Sequence, residues 1–272
     1  MLLAVDIGNT HTHLGLCLDG KIEKAWDIPT SAKGGSPCLV DDIRSQIPRG
    51  AGKRIEEAAV ASVVPGMDAL WWEVLEKKFR LRPVWVNAKL PLGIEIHYKP
   101  AGGVGADRLA NAVGGFTKYG GPLIILDFGT AVTFDVIDAT GNYMGGVIAP
   151  GIGLTLKALH EGTALLPKIE IRETPTVLGR DTVSAMRSGI VVGFCGMIRE
   201  IVERLKQELS FGPELKVIAT GGYCEPITKQ LPFVSATNPM LTLEGLCEIH
   251  RRIRLARSDS GPEQIEGSNI AG

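Results

Sequence analysis

The chain has 272 residues, 44% of them hydrophobic, with 29 basic and 30 acidic residues and a net charge of −1. That suffices for two cores of ordinary domain size, while the mixed charge offers no basic block for nucleic acid and no acidic tail for a partner. Cys17, Cys38, Cys195, Cys224 and Cys247 are odd in number, scattered and without C-x-x-C spacing, which argues against a zinc site or disulfide framework and for a reducing cytoplasm.

The N-terminus enters a strand within two residues, with no basic region and no cleavage site, so no secretory signal is read there. Strands are predicted at 2–8, 13–18 and 21–28, followed by a Gly/Pro-rich loop at 33–37 and a helix at 38–47. A strand at 58–63, a helix at 67–80 after Pro65-Gly66 and a short strand at 84–86 follow. Residues 88–104 read as irregular, and a helix opens near Gly105 and runs to about Tyr119. Gly120-Gly121-Pro122 ends it and marks the expected domain boundary.

Strands are then expected at 123–127, 132–137 and 143–148, and a helix from Gly151 to His160. Residues 163–179, with Pro167 and Pro175, read as a connecting loop. Apolar residues at helical spacing over 181–209 predict a long helix whose middle, Gly189 to Gly196, is small and apolar. Such a face suits packing within the fold or against a second subunit. A strand at 215–219, the turn Thr220-Gly221-Gly222-Tyr223 and a helix over 242–254 complete the pattern. The expected organisation is a domain over 1–120, a second over 121–256 and a disordered tail over 257–272. No apolar run is long enough to span a membrane.

The organisation is repetitive. An apolar strand ending in Asp6-Ile7-Gly8-Asn9-Thr10 is echoed about 120 residues later by one ending in Asp127-Phe128-Gly129-Thr130. Each copy continues as a tight turn and a returning strand, and the period fits a duplicated domain rather than a solenoid. Two such domains facing each other bring two carboxylates and two Gly-Thr turns to one cleft. Backbone N–H and hydroxyl groups in these turns suit phosphate, and the carboxylates suit its counter-cations. That is the layout of a nucleotide-dependent phosphotransferase, although one copy alone reads equally as an Asx-type hairpin turn.

Three further segments bear on chemistry. His11 and His13 share one strand face, but no third ligand stands in a partner position, so they are read as edging the phosphate site or the surface. Gly105-Ala106-Asp107-Arg108 opens a helix, where free N–H groups favour anions; Asp107 reads either as ordinary helix stabilisation or as the base that takes the acceptor hydroxyl's proton. Gly221-Gly222 would let an adenine ring lie on the backbone. No Walker sequence and no complete dinucleotide fingerprint is present.

Taken together these motifs resemble the actin, hexokinase and heat-shock-chaperone superfamily. Within it, the Asp6–Thr10 opening, Gly105–Arg108, Asp127–Thr130 and the 181–189 segment resemble type III pantothenate kinase over roughly residues 1–250. The resemblance implies an α/β fold of two duplicated ribonuclease-H-like domains, each a mixed sheet flanked by helices, with a nucleotide cleft between them and a homodimer. It implies phosphorylation of pantothenate by ATP to 4'-phosphopantothenate, the first step toward coenzyme A, with a monovalent cation (potassium or ammonium) and a magnesium ion. By the same resemblance Asp6, Ile7, Gly8, Asn9, Thr10, His11, Thr12 and His13 form the ATP phosphate turn, with Asp6 on magnesium. Asp127 matches the potassium ligand and Thr130 a nucleotide contact. Tyr98, Gly105, Ala106, Asp107 and Arg108 match the pantothenate site, with Asp107 as base, and Thr182 a contact supplied across the dimer. The proline that usually stands three residues after the aromatic stands two after Tyr98 here, at Pro100. The alternatives are a non-catalytic regulator of the same fold, opposed by the intact set Asp6, Asp107 and Asp127, and another small-molecule kinase, opposed by Gly105–Arg108 with Thr182.

Overall fold

A computed structural model of the chain describes residues 1–31, 35–47, 54–172 and 176–259. Two five-stranded mixed sheets form its frame. In the first, β1 (Leu2–Ile7), β2 (His11–Leu18) and β3 (Lys21–Pro29) make an antiparallel meander; β4 (Glu57–Ser62) and β5 (Val84–Trp85) add in parallel on the other side of β1. The second sheet repeats this topology with β6 (Leu123–Phe128), β7 (Ala131–Ile137) and β8 (Tyr143–Pro150) as the meander and β9 (Lys216–Thr220) and β10 (Ala236–Thr237) in parallel. The duplication read from two short motifs therefore extends to whole sheets.

Helices fill three layers around the sheets. Leu3, Val5 and Ile7 of β1 pack outward with Val40 and Ile43 of α1 (Gly35–Gln46) and Met67 and Trp71 of α2 (Pro65–Trp72). Ile124, Leu126 and Phe128 of β6 pack outward with α4 (Ile152–Glu161) and α5 (Thr182–Glu208). The inner faces, carrying Leu2 and Ala4 of β1 and Leu123 and Ile125 of β6, share one core with α3 (Ala106–Tyr119) and α7 (Leu241–Asp259). Strand parity thus sorts each buried strand into two cores, because alternate side chains leave opposite faces of a sheet.

Several elements differ from their predicted form. The helix expected over 67–80 is α2 followed by a π-helical turn, Glu73–Lys78, in which Phe79 N–H reaches Val74 O. The wider turn keeps the adjacent Val74 and Leu75 both in the core while Trp72 stacks on Trp85. Part of the loop expected over 33–37 belongs to α1; residues 32–34 lie outside the described set, as do Pro175 and residues 260–272, where most of the expected tail falls. Residues 257–259 are helical, because α7 runs on to Asp259. The short helix α6 (Cys224–Thr228) follows the Gly221-Gly222 turn, which reads as a strand-to-helix turn, whereas β10 was not anticipated, since two residues carry no readable period. No helix among the described residues is long and apolar enough to cross a membrane.

Candidate active site

The parity that buries Leu2 and Ala4 on the inner face of the first sheet puts Asp6 on that same face, and Ile125 does the same for Asp127. Both aspartates end their strands and face the layer held by α3. The turns that follow meet: the Thr10 and Thr130 hydroxyls, 120 residues apart in sequence, are 3.2 Å apart. Asp6 pairs across the sheet with His13, and Asp127 with Thr133. Asn9, Thr10, His11, Gly129 and Thr130 are exposed, while Ile7 and Thr12 are buried.

The start of α3 supplies the third carboxylate. Gly105 is the N-cap, with no side chain to satisfy the first-turn donors, and Asp107 Oδ1 accepts the Arg108 N–H at 2.8 Å instead. A Cβ on residue 105 would collide with Asp107 Oδ1, so glycine there leaves the carboxylate its place. One turn on, Asn111 donates to Asp127 Oδ2 at 2.8 Å and accepts from the Thr242 hydroxyl at 2.8 Å. Asn111 thus ties α3 to the second sheet and α7. Its i+4 spacing from Asp107 was the signal that could have placed it in the site.

Burial raises all three carboxyls, and Asp107 further raises the other two. Burial, then the charges of Asp107, Asp127 and Asp27, hold the Asp6 carboxyl well above the usual range. Burial, then Asp107, pushes Asp127 up to about 7 against the lowering bond from Asn111. Burial also raises Asp107, although the Arg108 N–H and charge oppose it. No salt bridge to Asp6, Asp107 or Asp127 exists among the described residues. A cluster of this kind calls for cations, since buried like charges disfavour joint ionisation. Nor do the described residues contain a group of three or more His, Cys, Asp or Glu side chains placed to hold a metal ion, so an ion here would draw most of its oxygens from phosphate, backbone and water. Asp6 and Asp127 can each offer a carboxylate oxygen to a cation on those terms.

The other expected residues are placed as follows. His13 Nδ1 meets Asp27 Oδ1 at 2.6 Å, so its partner is a carboxylate on β3 rather than His11. Arg108 turns away from Asp107 and pairs instead with Asp135, its Nε 2.7 Å from Oδ1. Tyr98 is half-buried and packs edge-on against Tyr143, centroids 6.4 Å apart, so that Tyr98 and Arg108 both contact the Tyr143 ring despite the shifted proline. Gly221, at φ +89, leaves no room for a Cβ beside Asp127 Oδ1 and the Phe128 backbone, so the Gly-Gly turn borders the cluster. Thr182 is exposed on the first turn of α5, which Asp181 and Ser184 cap reciprocally, and its side chain makes no hydrogen bond among the described residues. Asp27, Asn111, Asp135 and Tyr143 were missed because the contacts that recruit them cross between strands or between sheet and helix.

The raised carboxyls carry a stability signature. The folded chain keeps a proton on Asp127 up to about pH 7, whereas the unfolded chain releases it near 3.8, so stability should fall as pH rises between those values. Asp6 acts in the same direction. Thermal unfolding of the ligand-free protein at pH 5 and pH 8 should show a larger loss in wild type than in Asp127→Asn. Equal losses would contradict the shift.

Comparison with known proteins bears on what this cleft serves. A type III pantothenate kinase family profile matches residues 2–204. A type III pantothenate kinase of Roseiflexus sp. (strain RS-1) is 37% identical over 256 residues, covering 93% of this chain and 100% of the relative. Among solved structures, a Baf family transcriptional activator from Campylobacter jejuni has a TM-score of 0.60 at 17% identity, covering 93% of this chain and 99% of that one. A ROK family glucokinase from Streptomyces griseus, in complex with glucose and AMPPNP, has a TM-score of 0.51 at 16% identity, with 93% and 99% covered. At such identities the structures speak to fold alone, and that fold is consistent with two ribonuclease-H-like halves, each a mixed five-stranded sheet flanked by helices. The profile and the Roseiflexus relative go further: the chain belongs to the type III pantothenate kinase family.

Proposed function

We propose that this protein transfers the γ-phosphoryl group of ATP to the hydroxyl of pantothenate that becomes the 4'-phosphate, the first step toward coenzyme A. The observation that carries the mechanism is the convergence of Asp6, Asp107 and Asp127 around the facing Thr10 and Thr130 turns. In this reading the turn from Asp6 to His13, with Thr130, receives the phosphates through backbone N–H and hydroxyl donors. When bound, magnesium at Asp6 and potassium or ammonium at Asp127 would offset phosphate charge. Asp107 takes the proton of the attacking hydroxyl. Burial raises its basicity, which favours that transfer. Tyr98, Gly105, Ala106 and Arg108 hold pantothenate. The intact carboxylate set gives no support to a non-catalytic regulator.

Homodimerisation is part of the same proposal, with Thr182 of one protomer completing the other's pantothenate pocket. What supports it is the surface of α5. Gly193 and Gly196 are exposed, and an apolar groove beside them is lined by Pro150, Thr155, Gly189, Ile190, Gly193, Phe194 and Met197. A cytoplasmic setting fits this substrate and product.

A coupled assay tests the reaction by omitting pantothenate, ATP, magnesium or potassium in turn. Each omission should remove most turnover, and ammonium should replace potassium. Asp127→Ala should lose the potassium dependence together with most of the activity. Full wild-type activity in sodium-only buffer would contradict the cation assignment. Turnover on a hexose in place of pantothenate would favour a different kinase of the same fold.

A further inference from the structure

Arg108 is 6% exposed and Asp135 fully buried. Asp135 Oδ1 accepts Arg108 Nε at 2.7 Å and the Tyr143 hydroxyl at 2.8 Å, and Oδ2 accepts the Thr133 hydroxyl at 3.1 Å. The guanidinium carbon lies 5.8 Å from the centroid of the Tyr143 ring, whose edge contact on Tyr98 continues the wall. A Cβ on residue 146 would stand 2.8 Å from Nη2, so Gly146 backs the guanidinium on that side. The group is therefore fixed by Asp135, Tyr143 and Gly146.

The fixing is incomplete in one informative respect. Arg108 carries five N–H donors, and the described protein groups engage only the one on Nε. Nη2 is enclosed without a partner, and of the two terminal nitrogens it alone is enclosed. A buried ion pair is a weak source of stability, and apolar residues often fill such space as well. Nη1 keeps spare N–H donors, and a guanidinium held in place is instead suited to pairing with a carboxylate.

We infer that Asp135 and Tyr143 are positioning residues: they hold the guanidinium of Arg108 so that its open nitrogen, Nη1, selects an acceptor bearing a carboxylate over the same acceptor without one. The inference rests on the pantothenate reading above. Neither residue touches the reacting atoms. Their effect belongs in acceptor binding and selectivity, whereas Asp107 acts on turnover.

The test compares wild type, Tyr143→Phe and Asp135→Asn on two acceptors, pantothenate and the alcohol in which its carboxylate is reduced to CH2OH. Calorimetry gives Kd for each, and steady-state assay gives KM and kcat. Tyr143→Phe removes a single oxygen and keeps the ring, so it decides the matter if Asp135→Asn fails to fold. Pantothenate Kd and KM should rise by about tenfold, the size expected for loosening one charge-assisted contact. The alcohol's Kd should stay near wild type and kcat should change far less. Unchanged selectivity in a folded variant, or equal weakening toward both acceptors, would overturn the clamp. Wild-type protein that binds neither acceptor would instead sink the pantothenate reading itself.

Discussion

Asp107→Asn is expected to lower kcat by about 10²–10⁴, the range for loss of a positioned general base. The substitution is close to isosteric. Asn Oδ1 can still accept the Arg108 N–H that Asp107 accepts at 2.8 Å, so the first turn of α3 keeps its local bond. Gly105 leaves the same space for either side chain. Removing one of three mutually repelling carboxyls should also ease the burial cost of Asp6 and Asp127, both of which Asp107 raises. The variant should therefore unfold no earlier than wild type while losing turnover. Pantothenate KM should change much less than kcat, since the lost interaction belongs to proton transfer. The same assignment predicts an acid limb in wild-type kcat above the ordinary carboxylate range, as the ionised base is the active form. Near-normal turnover in a folded Asp107→Asn protein would show that the proton leaves by another route.

Gly193→Glu is expected to split the proposed dimer and abolish activity together. Nothing lies within 4 Å of a Cβ built on Gly193, and the residue is exposed, so the single chain has room for a side chain to start there and extend into solvent. The effect should then fall on association alone. Burying an unpaired carboxylate in a closed two-fold interface costs about 3–5 kcal/mol, more than a hundredfold in dissociation constant. Activity should follow because Thr182 reaches no acceptor pocket within its own chain in the proposed arrangement. Circular dichroism, sedimentation and turnover measured on one preparation decide the point. A folded monomer that phosphorylates pantothenate at the wild-type rate would place the whole site within one chain. A dimer that persists would move the interface away from this face of α5.

Much of this protein was legible in its sequence. Asp6 and Asp127 each close a run of residues buried on both faces, and such a run has few endings besides a functional turn. Local chemistry also fixed α3, because Gly105 opens it and Gly120 at φ +71 ends it. The second copy of the Asp-x-Gly turn added what one copy lacked, and the repeated sheet topology followed from it. Tertiary structure decided the rest. The facing of Thr10 and Thr130, the bond from Asn111 to Asp127 and the turn of Arg108 toward Asp135 all join elements distant in sequence. Periodicity tells which face of a strand or helix is buried and is silent on what it meets. That information enters only when α3 and α7 are pressed between two sheets and bring buried polar groups of distant segments together.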